Sequence, residues 1–75
     1  MKITYDSEAD AAYIQLSDLQ PAGVVEAENG INLDMTDDNQ LVGIEILDAS
    51  KKIPLATLRT FEYDDELVEE DLVEA

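Results

Sequence analysis

The sequence of 75 residues contains no cysteine and no histidine. Without cysteine the chain has no disulfide, no thiolate nucleophile and no cysteine-based zinc site. Without histidine it lacks the side chain that most often acts as a general base. A chain this short also buries only about 60 % of its unfolded surface, so we expect a thin core and no deep substrate pocket. We therefore predict a protein that is not an enzyme and has no catalytic residues, no cofactor and no metal.

Basic residues are also scarce. Four lysines and arginines stand against nineteen aspartates and glutamates, which gives a formal net charge of −15. Nucleic acids and anionic membranes are bound through lysine and arginine, so we expect neither of them as a direct partner. No apolar run approaches the roughly 20 residues of a membrane span, and the N-terminus has no signal-peptide pattern. The expected location is the cytoplasm.

The charge divides the chain into two segments. Residues 62–75 hold eight of the nineteen acids and no base, a charge of −8, which leaves −7 for residues 1–61. We predict a small β domain over 1–61 and an acidic C-terminal tail over 62–75. The tail is either a solubilising segment or a partner-binding segment. In the second case the candidate partner-binding residues are Leu67, Val68, Leu72, Glu66, Glu69, Glu70 and Asp71.

Within 1–61, apolar and polar residues alternate with the period of half-buried strands. The alternation is clearest in the segments KITY, AAYIQLS, INLDM and LVGIEIL, and a further strand precedes INLDM. The connections are too short for parallel crossovers, so an antiparallel arrangement follows. The predicted fold is mainly β, or α+β: a single antiparallel five-stranded β-meander with a short C-terminal helix and an acidic tail. The helix is predicted over residues 53–61, where Pro54 suits a first helical position, and a sixth strand is the alternative.

Matching the apolar sets also predicts the register of the hairpins. In the first hairpin, Ile3 faces Ile14 and Tyr5 faces Ala12, and the Asp6 side chain closes the turn.

A three-residue loop over 28–30, with Gly30 in the left-handed conformation, pairs Val25 with Leu33. A two-residue loop at 38–39 pairs Met35 with Val42, Leu33 with Ile44 and Ile31 with Ile46.

The opposite face of the predicted sheet carries further apolar residues, namely Tyr13, Val24, Leu41 and Leu47. We expect part of this surface to be covered, either by residues 53–61 or by a second copy of the chain. Gly43 interrupts the most apolar strand, which indicates a bulge, a close backbone approach or a place where an apolar partner packs.

Two groups of oxygen-bearing side chains have spacings that divalent cations use. The first group resembles a calcium loop and consists of Asp34, Thr36, Asp38 and Glu45. Asn39 stands where that loop needs glycine, and strands replace its helices. The second group follows the first strand and consists of Asp6, Glu8 and Asp10, for which we favour a role in shaping the turn.

The segments KITYDSEADAAYIQLSD and NGINLDMTDDNQLVGIEILDASK resemble the small prokaryotic family catalogued as domain of unknown function 2283. The resemblance covers roughly residues 1–51 and rests on Y-D-x-E-A-D followed by G-I-E-I-L-D-A-S. Asn39 stands where the family usually has a turn glycine. The resemblance carries over no catalytic or binding residues. Because some members look like the antitoxin half of toxin–antitoxin pairs, it implies an antitoxin-like inhibitor of a basic, RNase-like toxin.

The best prediction from the sequence is a non-enzymatic protein-interaction module of this family. Its candidate partners are a basic protein and a second copy of the chain, since acidic surfaces suit basic ones. The alternatives are a structural, self-associating domain with a solubilising tail, whose acidity would also fit a halophilic source, and a weak divalent-cation-binding module.

Overall fold

A computed structural model describes residues 1–62 of the chain. Its five strands form one antiparallel sheet, which confirms the mainly β prediction. A 3₁₀ turn at Glu28–Gly30 connects the third and fourth strands, and a short α-helix and a 3₁₀ helix follow the last strand. The elements are β1 (Lys2–Asp6), β2 (Ala11–Gln15), β3 (Gly23–Glu26), β4 (Ile31–Met35), β5 (Leu41–Leu47), α1 (Ala49–Lys52) and the 3₁₀ helix (Leu55–Arg59).

The order of the strands, β1-β2-β5-β4-β3, differs from the predicted meander. In a meander β2 would pair with β3, whereas here it pairs with β5. This pairing sets Ile14 beside Ile44 and Ala12 beside Ile46, so apolar side chains meet across the strands. The central position gives the most apolar strand a neighbour on each side, while β3, all of whose residues are exposed, stays at the edge.

The predicted register of the first hairpin is confirmed. Ile3 pairs with Ile14 and Tyr5 pairs with Ala12. The Asp6 carboxylate accepts hydrogen bonds from the backbone N–H groups of residues 8 and 9 at 3.0 and 3.3 Å. Asp6 therefore closes the turn through its side chain, as aspartate commonly does.

The predicted three-residue loop over 28–30 is also confirmed. Val25 pairs with Leu33, and the Ala27 N–H donates to the Ile31 carbonyl at 2.7 Å. Gly30 has a φ of 75°, which is the left-handed conformation that the loop requires.

The turn between β4 and β5 differs from the prediction. The Thr36 N–H donates to the Gln40 carbonyl at 2.8 Å, so the loop has three residues, 37–39, rather than two. Asn39 takes the left-handed conformation there, with a φ of 69°. Met35 pairs with Leu41 instead of Val42, because the ladder shifts at a bulge next to Met35. The pairs farther from the turn, Leu33 with Ile44 and Ile31 with Ile46, are as predicted.

Residues 53–61 contain a helix rather than a sixth strand, but it is the 3₁₀ helix Leu55–Arg59 and Pro54 flanks it. The short helix α1, in contrast, is not predicted by the sequence pattern. This helix begins after Asp48, whose φ of 53° turns the chain sharply out of β5.

The core of this single layer is thin. Among residues 1–62, the buried apolar side chains are those of Ala12, Val42 and Ala49, and no large side chain is fully buried. The one-layer architecture is the reason, because a sheet buries a face only where another element packs on it.

Candidate functional site

The Asp10 carboxylate joins the first hairpin to α1. It accepts hydrogen bonds from the Tyr5 hydroxyl at 2.7 Å, from the Ser50 N–H at 3.0 Å and from the Ser50 hydroxyl at 2.7 Å. The hydrogen bonds from Ser50 and Tyr5 favour the ionised carboxylate and hold the pKa of Asp10 below its ordinary value. The bond to Asp10 also raises the pKa of the Tyr5 hydroxyl, so Tyr5 stays a donor.

The backbone completes this junction. The Asp10 carbonyl accepts from the Ala49 N–H at 2.9 Å, and the Ala49 side chain is completely buried. Asp10 has a φ of 53°, which turns the chain into β2. Both motifs of the sequence analysis, Y-D-x-E-A-D and G-I-E-I-L-D-A-S, therefore contribute to one junction, and its hydrogen bonds give Asp10 and Ser50 a structural role.

The two faces of the sheet are chemically opposite. One face, here called the apolar face, has a row of five aliphatic side chains that crosses all five strands and a second row beside it. The register places no charged residue in either row. The rows are Ile3, Ile14, Ile44, Leu33 and Val25, and Tyr5, Ala12, Ile46 and Ile31.

Among residues 1–62, no second layer packs over most of the apolar face. Ala12 is buried, but Val25 is 54 % exposed and Tyr5 is 39 % exposed. The four isoleucines and Leu33 of the middle strands are only half-buried. The 3₁₀ helix lies along the β1 edge, where Leu55 and Leu58 line a shallow groove with Ile3 and Tyr5. The sequence predicts this segment as a candidate cover for the opposite face, whereas in the structure it borders the apolar face.

The opposite face, here called the polar face, also has two cross-strand rows. The first contains Glu45 on the central strand β5 and Glu26 on the edge strand β3. The second contains Asp34 beside Gly43. The rows are Thr4, Tyr13, Glu45, Asn32 and Glu26, and Lys2, Gln15, Gly43, Asp34 and Val24.

Tyr13 crosses this face diagonally. Its hydroxyl donates to the Asp34 carboxylate at 2.7 Å, and this bond raises the pKa of Tyr13. The phenol ring passes over Gly43, where a methyl group would lie 2.1 Å from the hydroxyl oxygen. The predicted close approach at Gly43 is therefore observed: the Tyr13 ring makes the nearest contact, and the Ile14 carbonyl oxygen lies 3.0 Å from the same point.

A second hydrogen bond holds the carboxylate of Glu45 on the same face. The Asn32 side-chain amide donates to Glu45 at 3.0 Å. The donors to these two carboxylates, Tyr13 and Asn32, are neutral, so they position Asp34 and Glu45 without placing a positive charge beside them. Sequence alternation placed these residues on one face but did not indicate the two hydrogen bonds.

The candidate cation ligands are divided among different contacts. Asp6 binds backbone N–H groups and Asp10 binds Tyr5 and Ser50. Asp34 accepts from Tyr13, whereas the Thr36 hydroxyl donates to Asp38 within the turn. Over residues 1–62 there is no group of three or more acidic side chains arranged to hold a metal ion.

The seven candidate partner-binding residues of the tail, Leu67, Val68, Leu72, Glu66, Glu69, Glu70 and Asp71, lie outside the described residues. Their role stays a prediction. Within residues 1–62, no helix is long and apolar enough to cross a membrane.

Residues 2–50 match the family described as protein of unknown function DUF2283. The match covers well over half of the 75 residues, and the chain belongs to this family. The matched segment includes all five strands and ends at Ser50, so it contains both sides of the Asp10 junction. The chain matches no curated protein and no solved structure.

Proposed function

We propose that the protein is a non-enzymatic interaction module that binds a basic protein partner, in the manner of an antitoxin-like inhibitor of an RNase-like toxin. The observation that carries this proposal is the pair of carboxylates on the polar face, Asp34 and Glu45, which neutral donors hold in place.

The spacing of these carboxylates suits a cationic side chain. Asp34 and Glu45 lie on the neighbouring strands β4 and β5, diagonally across the ladder. Diagonal neighbours in an antiparallel sheet are about 7–8 Å apart, which a guanidinium or ammonium group can bridge. Because Tyr13 and Asn32 already fix the two acids, binding costs little side-chain ordering.

The distribution of charge favours a basic partner over the whole face. Glu26 extends the row of acids to the β3 edge, and Lys2 lies at the opposite edge. The Lys52 ammonium donates to the Leu47 carbonyl rather than to an acid of this face. With a net charge of −15, the protein attracts cationic partners over long distances and repels nucleic acid. In this proposal the acidic tail adds contacts through Leu67, Val68 and Leu72.

The test is capture from native lysate with the immobilised full-length protein at 50 and 500 mM NaCl, followed by mass spectrometry. The key variant is Asp34→Asn/Glu45→Gln, which keeps the shape of the polar face and removes two charges. The matched control is Asp18→Asn/Glu28→Gln, which removes two charges from exposed loops.

We expect one small basic protein to be retained at low salt by the wild type and the control. High salt or the polar-face variant should release it, because screening and loss of the carboxylates weaken the same contact. Retention of the same mixture of basic proteins by both variants would show non-specific charge attraction and contradict the proposal. Capture of no protein would contradict it as well.

A further inference from the structure

We propose that a second copy of this chain covers the apolar face, so that two sheets pack face to face as a two-layer β-sandwich. This inference concerns the face opposite the proposed partner site and does not depend on that site.

The apolar face of the described residues lacks the second layer that a packed core needs. Its central row runs from Ile3 to Val25 without a charged residue. Two alanines and one valine make up the buried apolar set of residues 1–62. Stable domains have two packed layers around a core, and the described part of one chain supplies one sheet with short helices at its margin.

The dimensions of the apolar face set the size of the contact between two copies. Five strands at about 4.8 Å spacing and five residues at about 3.3 Å rise give a face of about 24 × 17 Å, or about 400 Å². Two such faces in contact would bury at least about 800 Å², and the exposed Val25 and Tyr5 at the margins add to this. This area is below the roughly 1,000 Å² of a stable specific interface and in the range of weak, transient association. We therefore expect a weak dimer in exchange with monomer.

The area also argues against the chain's own C-terminal segment as the cover. A helix is about 10 Å wide and would cover about two of the five strands. Residues 62–75 contain eight acids and would bring them onto a face that has no charge to pair with. A second apolar face matches both the width and the chemistry.

The position of the charges also favours contact between two apolar faces. Each copy carries −15, so two copies repel each other unless their acids point away from the contact. Face-to-face packing turns both polar faces outward and separates them by about 20 Å, given sheets about 10 Å apart. This distance exceeds the Debye length of about 8 Å at 0.15 M ionic strength. The apolar face is thus the surface on which two such chains can meet with least repulsion.

The test compares two neighbouring residues on the edge strand β3. Val25 lies in the apolar row, whereas Val24 pairs with Asp34 on the polar face. Their exposures are similar, 54 % and 65 %, so the same substitution costs each monomer a similar amount. We would measure the dissociation constant of the full-length protein by sedimentation velocity between 1 and 300 μM, with circular dichroism to verify folding.

We expect Val25→Glu to weaken dimerisation at least tenfold and Val24→Glu to change it less than about threefold. Val25→Lys should weaken it as well, although it reduces the magnitude of the negative net charge, because the penalty is burial of a charge in an apolar contact. For the wild type, raising NaCl from 50 to 500 mM should strengthen dimerisation, since salt screens the repulsion between copies.

A monomer over the whole concentration range would overturn the proposal and leave a different cover for the face. Equal effects of the Val24 and Val25 substitutions would also overturn it. The salt response of the wild type remains decisive if a variant fails to fold, because dimerisation that weakens with salt contradicts an apolar contact. Partner binding should weaken with salt, so failure of the dimer and failure of the partner proposal are distinguishable.

Discussion

Substitution of Gly43 by alanine tests how tightly Tyr13 packs on the polar face. The added methyl group would lie 2.1 Å from the Tyr13 hydroxyl oxygen, 2.5 Å from its Cζ atom and 3.0 Å from the Ile14 carbonyl oxygen. The φ of Gly43 is not positive, so the backbone itself accepts alanine. Any loss of stability therefore comes from these contacts.

The size of the loss follows from the displacement. An ordinary contact needs about 3.4 Å, so the phenol oxygen must withdraw by about 1.3 Å from its position at 2.1 Å. A withdrawal of this size is large enough to break the 2.7 Å hydrogen bond to Asp34. Overpacking costs about 1–3 kcal/mol. We expect Gly43→Ala to destabilise the protein by about 2 kcal/mol, which lowers the Tm of a domain of this size by about 8–16 °C.

The assay is urea and thermal unfolding followed by circular dichroism at fixed protein concentration. The control is Gly23→Ala, because a methyl group at Gly23 meets nothing within 4 Å. Alanine there should be neutral or stabilise by up to about 1 kcal/mol, through the entropy of the unfolded chain. Both glycines lie in strands of the same sheet, but the Tyr13 ring lies over Gly43 and nothing lies within 4 Å of a methyl group at Gly23.

A double-mutant cycle separates the ring from the backbone contact. In a Tyr13→Ala background the obstacle is gone except for the Ile14 carbonyl, and Gly43→Ala should cost less than about 1 kcal/mol. Wild-type stability of Gly43→Ala would refute this reasoning. So would an equal loss in both backgrounds, since the ring would then not be the obstacle.

Three further predictions concern the turns and the two tyrosine–aspartate hydrogen bonds. Asp10→Asn should destabilise the protein at pH 7. Folding lowers the pKa of Asp10, so its contribution to the stability is present above the ordinary value of 3.8 and disappears as the pH falls through the lowered pKa. Chemical unfolding from pH 2 to 7 should show the two curves converging in acid; a constant difference would contradict the role of ionisation. The contribution of Tyr13 to the stability has the opposite pH dependence, because folding raises its pKa. This contribution is complete below pH 10.0 and is lost as the pH rises through the raised pKa. Absorbance titration of wild type and Tyr13→Phe should therefore assign to Tyr13 a phenolate that forms above pH 10.0, and ionisation at or below that value would exclude the bond to Asp34. Asn39→Ala should cost about 1–2 kcal/mol in urea unfolding, because alanine tolerates the left-handed φ of 69° poorly, whereas Asn39→Gly should not, and equal stability of both variants would contradict this account.

The Asp10 junction shows how motifs that look functional in a sequence can be structural in the fold. Asp10 and Ser50 are 40 residues apart, and each lies in one of the two motifs on which the resemblance to the family rests. Turn chemistry explains Asp10 within its hairpin, but nothing local indicates that α1 will bind it. The polar face is similar, since Tyr13 and Asp34 are 21 residues apart and meet over Gly43.

The sequence by itself determined the features that depend on neighbours along the chain. The alternation of apolar residues defined the strands, and turn residues such as Asp6 and Gly30 defined the registers of two hairpins. These features are local. Side chains alternate between the two faces of a strand, and the length and conformation of the loop set the register of a hairpin. The motifs also predicted the family, and the match over residues 2–50 confirmed it.

The tertiary structure decided which strands pair and what their faces do. Alternation in β2 fits either β3 or β5 as a neighbour, and the choice of β5 depends on contacts about 30 residues away in sequence. That choice placed an uncharged row on one face and held Asp34 and Glu45 on the other. Both proposals depend on this separation of the faces. The alternation of side chains along one strand does not specify which side chains become neighbours across the five strands of the sheet.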